Sequence, residues 1–76
     1  MTDRHADRIA AQHAANAVTA LDGVLKHGRY PNSRPVRATL VDALHVAASC
    51  ARRAGDDASC RHYLDRATAL EGELSR

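Results

Sequence analysis

The sequence is short of the side chains that build large hydrophobic cores. It contains no Phe, no Trp and only two Tyr, and alanine makes up much of its 45% hydrophobic content. Burying alanine removes little apolar surface from water. At ~25 cal/mol per Å² of buried apolar surface, the hydrophobic stabilisation of the fold is therefore small. Alanine is also the best helix former. We therefore expect residues 1–76 to form a single helical domain that gains stability from a partner surface.

The sequence also has no large excess of one sign of charge and no long apolar run. The net charge is +2, with acidic and basic residues interspersed, which differs from the basic stripe of a dedicated nucleic-acid-binding protein. The opening segment MTDRHADRIA is charged throughout and leads into no apolar run, so we expect neither a signal peptide nor a membrane span. These features favour a cytoplasmic protein, in which thiols stay reduced.

Apolar residues at helical spacing predict three helices, over residues 3–27, 35–54 and 56–74. The first ends at Gly28, which is expected in a left-handed conformation, and its polar side carries Arg8, Gln12 and Asp22. The second has two apolar stripes and therefore needs two neighbours. Because the turn at Gly55 is so short, the second and third helices must be antiparallel. The expected fold is all-α, a three-helix up-down-up bundle with the middle helix central.

Two cysteines flank the turn at equal distance from Gly55, and we expect Cys50 and Cys60 to lie at similar height in the hairpin. Small apolar side chains at a helix approach are the simplest interpretation. A disulfide needs Cα atoms closer than most helix pairs allow, and His45 and His62 point away from the cysteine stripes. We therefore expect two free thiols, no metal site and no cofactor.

Residues 41–72 carry the pattern of a helical hairpin with small side chains where its helices cross. A leucine precedes small residues in the first helix, AGD forms the turn, and small, large and small residues follow in the second. These positions are Leu44, Ala47, Ala48 and Ala51, then Ala54, Gly55 and Asp56, then Cys60, Leu64 and Ala67. The segment resembles one tetratricopeptide hairpin, with an alanine at the aromatic position and Gly72 at the closing proline. The resemblance implies a helical scaffold that binds proteins.

No pattern for catalysis is present: the sequence has no glycine-rich phosphate loop, no carboxylate pair of catalytic spacing and no HxxxH. We expect a small non-enzymatic protein-binding regulator or adaptor that acts through helix surfaces as a homodimer. One neighbour cannot fully cover the broad apolar arc of the first helix. The predicted partner-binding residues are Val18, Leu21, Leu25, Leu70 and Leu74. Alternatively, Leu21 and Leu25 are buried against the second helix.

A basic cluster at one end of the bundle offers a second function, that of a nucleic-acid-binding accessory protein. Its members are Lys26, Arg29, Tyr30, Arg34 and Arg37. The simpler interpretation is a solvated loop whose charge is offset by Glu71 and Glu73. The segment ARRAGDDASCRHYL is similar to the turn of a helix-turn-helix DNA-binding motif, but Asp56 and Arg61 stand where that motif needs core residues.

Overall fold

In the computed structural model, residues 4–28 and 33–75 are described. They form three α-helices, α1 (Arg4–His27), α2 (Arg34–Arg53) and α3 (Asp57–Leu74), and no strand is found among these residues. The predicted all-α three-helix fold is confirmed. Each helix boundary lies within one residue of the predicted one, although residue 3 itself lies outside the described part of the chain.

The turn between α2 and α3 depends on Gly55, whose φ is +83°. The Gly55 N–H donates to the Arg52 carbonyl at 3.0 Å, and the Asp56 N–H donates to the Ala51 carbonyl at 2.8 Å. This pair of bonds is a Schellman motif, which places glycine at the left-handed position because glycine has no Cβ to clash there. The motif satisfies two carbonyls of the last turn of α2 and reverses the chain.

Asp56 then begins α3. Its carboxylate accepts a 2.6 Å hydrogen bond from the Ser59 hydroxyl and a 3.1 Å bond from the Ser59 N–H. Both bonds stabilise the ionised carboxylate and so lower the pKa of Asp56 below its ordinary value. The bond from the Ser59 hydroxyl has the larger effect and the bond from the Ser59 N–H the smaller one. Asp56 is therefore the N-terminal cap of α3.

α1 ends at His27, as predicted. The Gly28 N–H donates to the Val24 carbonyl at 2.7 Å, the bond that closes the last turn of the helix. α2 follows Ser33, whose side chain makes no capping hydrogen bond, and Pro35 lies in the first turn, where a missing N–H costs nothing.

The central position of α2 is confirmed. It packs against both α1 and α3, whereas no Cα of α1 lies within 8 Å of a Cα of α3. Leu40 and Leu44 of α2 are both 0% exposed. They share a core cluster with Val18 of α1 and Ala67 of α3. The hydrophobic interior is thus organised around one face of α2, with a flanking helix on each side.

The two ends of the bundle are filled with side chains of different size. Toward the α1–α2 linker lies the leucine end, formed by Leu21, Leu25, Leu40, Leu44 and Leu70. Toward the α2–α3 turn lies the alanine end, formed by Ala11, Ala15, Ala47, Ala51 and Ala54. Large aliphatic side chains do occur in the helical segments of the alanine end, but Ile9 is 46% and Leu64 is 42% exposed. They add little to the interior there.

Candidate functional site

The residues predicted to bind a partner lie in or against the core. Val18 is buried, and Leu21, Leu25 and Leu70 are half-buried against the same cluster. Val18 is therefore not on an exposed edge of α1, contrary to the expectation. Leu21 and Leu25 are partly buried against the bundle, in the direction of the alternative interpretation. Leu74 is half-buried in the last turn of α3. Helical periodicity locates an apolar arc, but how much of it a neighbour covers depends on how the helices pack.

Two residues of the basic cluster, Arg29 and Tyr30, lie outside the described residues. The Arg34 guanidinium donates to the Leu74 carbonyl and so satisfies an acceptor at the C-terminal end of α3. Glu71, predicted to offset the cluster, has its Oε1 at 2.7 Å from His45 Nε2 instead. Arg34 therefore has a structural role, and the described residues give the nucleic-acid alternative no support.

An open groove lies between α1 and α3 at the alanine end, with α2 as its floor. Its volume is about 410 Å³. The floor consists of Ala47, Ala51 and Ala54. Its walls include Arg8, Gln12 and Ala15 on α1 and Ser59 and Tyr63 on α3. The groove remains open because methyl side chains are too short to fill the space between the flanking helices.

The polar groups of the groove walls differ in whether their hydrogen-bonding capacity is used. Both carboxylate oxygens of Asp56 accept from Ser59. Gln12 Nε2 donates to Asn16 Oδ1 at 3.0 Å. In contrast, the Arg8 guanidinium and the Tyr63 hydroxyl have no hydrogen-bond partner within residues 4–28 and 33–75. The groove therefore presents donors whose acceptors must come from water or from a bound molecule.

An ion pair joins α1 to α3 beyond the groove. The Arg66 guanidinium donates to both carboxylate oxygens of Asp22, with Nη1 at 2.6 Å from Oδ2. The hydrogen bond from Arg66 lowers the pKa of Asp22 below its ordinary value, and the same bond raises that of Arg66. Because the backbones of α1 and α3 stay apart, these side chains span the gap between them.

Sequence reasoning assigned no site to this groove. Arg8, Ala15 and Asp22 recur every seven residues and so share one edge of α1. On α3, Tyr63 and Arg66 are three residues apart and also share an edge. The seven-residue recurrence on α1 was the signal available.

Cys50 and Cys60 are both free, and their surroundings differ. Cys50 packs against the core cluster, whereas Cys60 lines a separate surface depression with Arg52 and Leu64. Within the described residues, no group of three or more His, Cys, Asp or Glu is placed to hold a metal ion. None of the helices there has the length and apolar character needed to cross a membrane.

Comparison with known proteins finds no relative on which to rest a function. No protein-family model matches the chain, and neither a curated protein nor a solved structure matches it significantly. The groove and the helix surfaces are therefore the basis for inferring function.

Proposed function

We propose that the protein is a small, non-enzymatic protein-binding module, a regulator or adaptor that binds a segment of another protein between α1 and α3. The observation that carries this proposal is the open groove at the alanine end, where two helices pack on α2 and leave the space between them unfilled. Its floor carries only methyl side chains, of which Ala47 and Ala51 are buried and Ala54 is half-buried. An apolar floor bordered by polar side chains is also the usual anatomy of a protein interface.

The shape of the groove favours a polypeptide over a small molecule. Sites for small ligands are concave pockets of about 300–1,000 Å³ that bury most of the ligand's surface. The groove has a comparable volume, about 410 Å³, but it is a trough between helices and has no roof. A bound segment of protein would contact the groove walls and the half-buried Ala54 and remain partly exposed to solvent. The resemblance of residues 41–72 to a tetratricopeptide hairpin points the same way.

The proposal includes a homodimer and a cytoplasmic location. Val46, on α2, is 57% exposed, and Ile9, on α1, is 46% exposed, so apolar surface is available outside the groove. Two free cysteines suit a compartment that keeps thiols reduced. Light scattering at tens of micromolar tests the dimer, and a monomer with a concentration-independent melt would contradict it.

A matched pair of substitutions on α1 tests the groove. Ala15 is half-buried in the groove wall, whereas Ala17 is exposed and does not line the groove. We expect Ala15→Leu to fill part of the groove and remove the partner captured from an extract of the native host, because the added side chain occupies its place. Quantitative mass spectrometry of the captured proteins measures this loss.

Ala17→Leu makes the same chemical change outside the groove and should retain the partner. Circular dichroism melts of both variants establish that each still folds. If the two folded variants capture the same proteins in the same amounts, the groove is not the binding site.

A further inference from the structure

We infer that the groove binds an α-helix of the partner, lying along α2 between α1 and α3 with a carboxylate side chain against Arg8. This inference rests on the proposed function and specifies the chemistry of its partner. Shape, backbone hydrogen bonding and charge each support it.

The packing of the three helices leaves room for a fourth. In a closed three-helix bundle, every pair of helices packs at an interaxial distance of about 8–10 Å. Here α1 and α3 each pack on α2, but no Cα pair between them lies within 8 Å. The Cα atoms extend over 47 × 21 × 15 Å, which fits helices arranged as a curved layer. The space left between α1 and α3 is the groove above α2.

The floor of the groove suits another helix. Ala47, Ala51 and Ala54 follow the i, i+4, i+7 spacing of one helix face, and Ala11 and Ala15 repeat it on the α1 wall. At a rise of 1.5 Å per residue, the floor extends over about 10 Å, or two helical turns. Small side chains along such a face let two helix backbones come close together and interlock.

Backbone hydrogen bonding favours a helix over an extended peptide. The groove is bounded by helices, whose backbone groups bond internally, and no strand edge is present in the described residues. An extended peptide on this alanine floor would bury backbone N–H and C=O groups without partners, at a cost in free energy. A helix satisfies its own backbone groups and presents only side chains to the floor.

Charge selects the kind of helix. Arg8 is the cation lining the groove, and it has no ion-pair partner among the described residues. Asp56 also lines the groove and keeps its negative charge, but both of its carboxylate oxygens accept from Ser59. Asp7 is not part of the groove lining, and its Oδ2 is buried. α1 and α3 begin at this end and α2 ends there, so two positive N-terminal dipoles are offset in part by one negative C-terminal dipole. A Glu or Asp of the partner complements Arg8, and the Tyr63 hydroxyl can donate a further hydrogen bond.

Synthetic peptides test the inference with the full chain. Each has about 20 residues, long enough to form helix, and the same alanine and leucine stripe. One peptide carries Glu beside the stripe, a second carries Lys at the same positions, and a third carries Glu and a central Pro that breaks the helix. Fluorescence anisotropy measures their affinities. We expect the Glu peptide to bind about tenfold more tightly than the other two.

Substitution of Arg8 should reverse this preference. The Arg8→Glu variant is expected to bind the Lys peptide more tightly than the Glu peptide, because the charge of the groove wall has changed sign. Arg37→Glu provides the control, since Arg37 is exposed near the start of α2, outside the groove lining, and this variant should keep the wild-type order. Melting curves confirm that both variants fold.

Three results would overturn the inference. These are no binding of any peptide, equal binding of the Glu and Lys peptides, or undiminished binding of the peptide with Pro. Each leaves the proposed function intact if Ala15→Leu still removes the natural partner while Ala17→Leu retains it. If that pair also fails to differ, the proposed function is wrong as well.

Discussion

The leucine end and the alanine end belong to the same three helices, yet one is closed and the other is open. At the leucine end, Leu40 and Leu44 are fully buried beneath side chains from both flanking helices. At the alanine end, Ala47 and Ala51 are also buried on α2, but a groove of about 410 Å³ remains between the flanking helices. Interiors close only where side-chain volume fills the space between backbones. The buried side-chain volume is therefore concentrated at one end and the open groove lies at the other.

The largest expected effect comes from removing volume at the leucine end. Leu44 is 0% exposed, so Leu44→Ala should destabilise the protein by about 2–5 kcal/mol through lost burial and the cavity left behind. Urea unfolding followed by circular dichroism measures the change. Leu64→Ala is the matched control, because Leu64 is 42% exposed and the loss should be about 0.5 kcal/mol. Equal losses for the two variants would contradict the division between the ends.

A smaller effect is expected at the turn that closes the alanine end. Gly55 has a φ of +83°, a conformation that costs other residues about 1–2 kcal/mol, so Gly55→Ala should lower stability by about that amount. Gly72 lies within α3, and a Cβ added there meets nothing within 4 Å. Gly72→Ala should therefore raise stability by about 0.4–1 kcal/mol. Thermal melts of both variants test the opposite signs, and a destabilised Gly72→Ala would be inconsistent with this account.

The smallest expected effect concerns the ion pair between α1 and α3. Because the pKa of Asp22 is lowered in the folded protein, its ionised form stabilises the fold fully above the unfolded pKa near 3.8. That contribution is lost as the pH falls through the lower folded pKa. Solvent screens the ion pair, because the side chains of Arg66 and Asp22 are 35% and 30% exposed. We therefore expect the pair to contribute less than about 1 kcal/mol to the free energy of unfolding.

Urea unfolding between pH 7 and pH 2.5 measures this contribution. Asp22→Asn should lose stability at neutral pH and converge with the wild type in acid, where Asp22 is protonated. Asp65→Asn alters an exposed carboxylate of α3 that is not in the pair and should follow the wild-type curve. A constant gap between Asp22→Asn and the wild type at every pH would show that the ion pair does not titrate as proposed.

The sequence by itself determined the three helices, their order, the Gly55 turn and the central place of α2. These depend on local physics: apolar spacing, capping at Asp56 and the one residue type that accepts a left-handed turn. The two apolar stripes of α2 also required two neighbours, whatever the details of their packing.

Only the tertiary structure decided which surface stays open. The apolar arc of α1 was visible in the sequence, but whether Val18, Leu21 and Leu25 face a partner or the core depends on how α1 packs against α2. The pairing of Asp22 with Arg66 joins residues 44 positions apart, and no local pattern specifies it. The groove depends on the distance between two helices that do not touch. That distance results from the volumes of side chains on all three helices together, so it emerges only when the bundle is assembled.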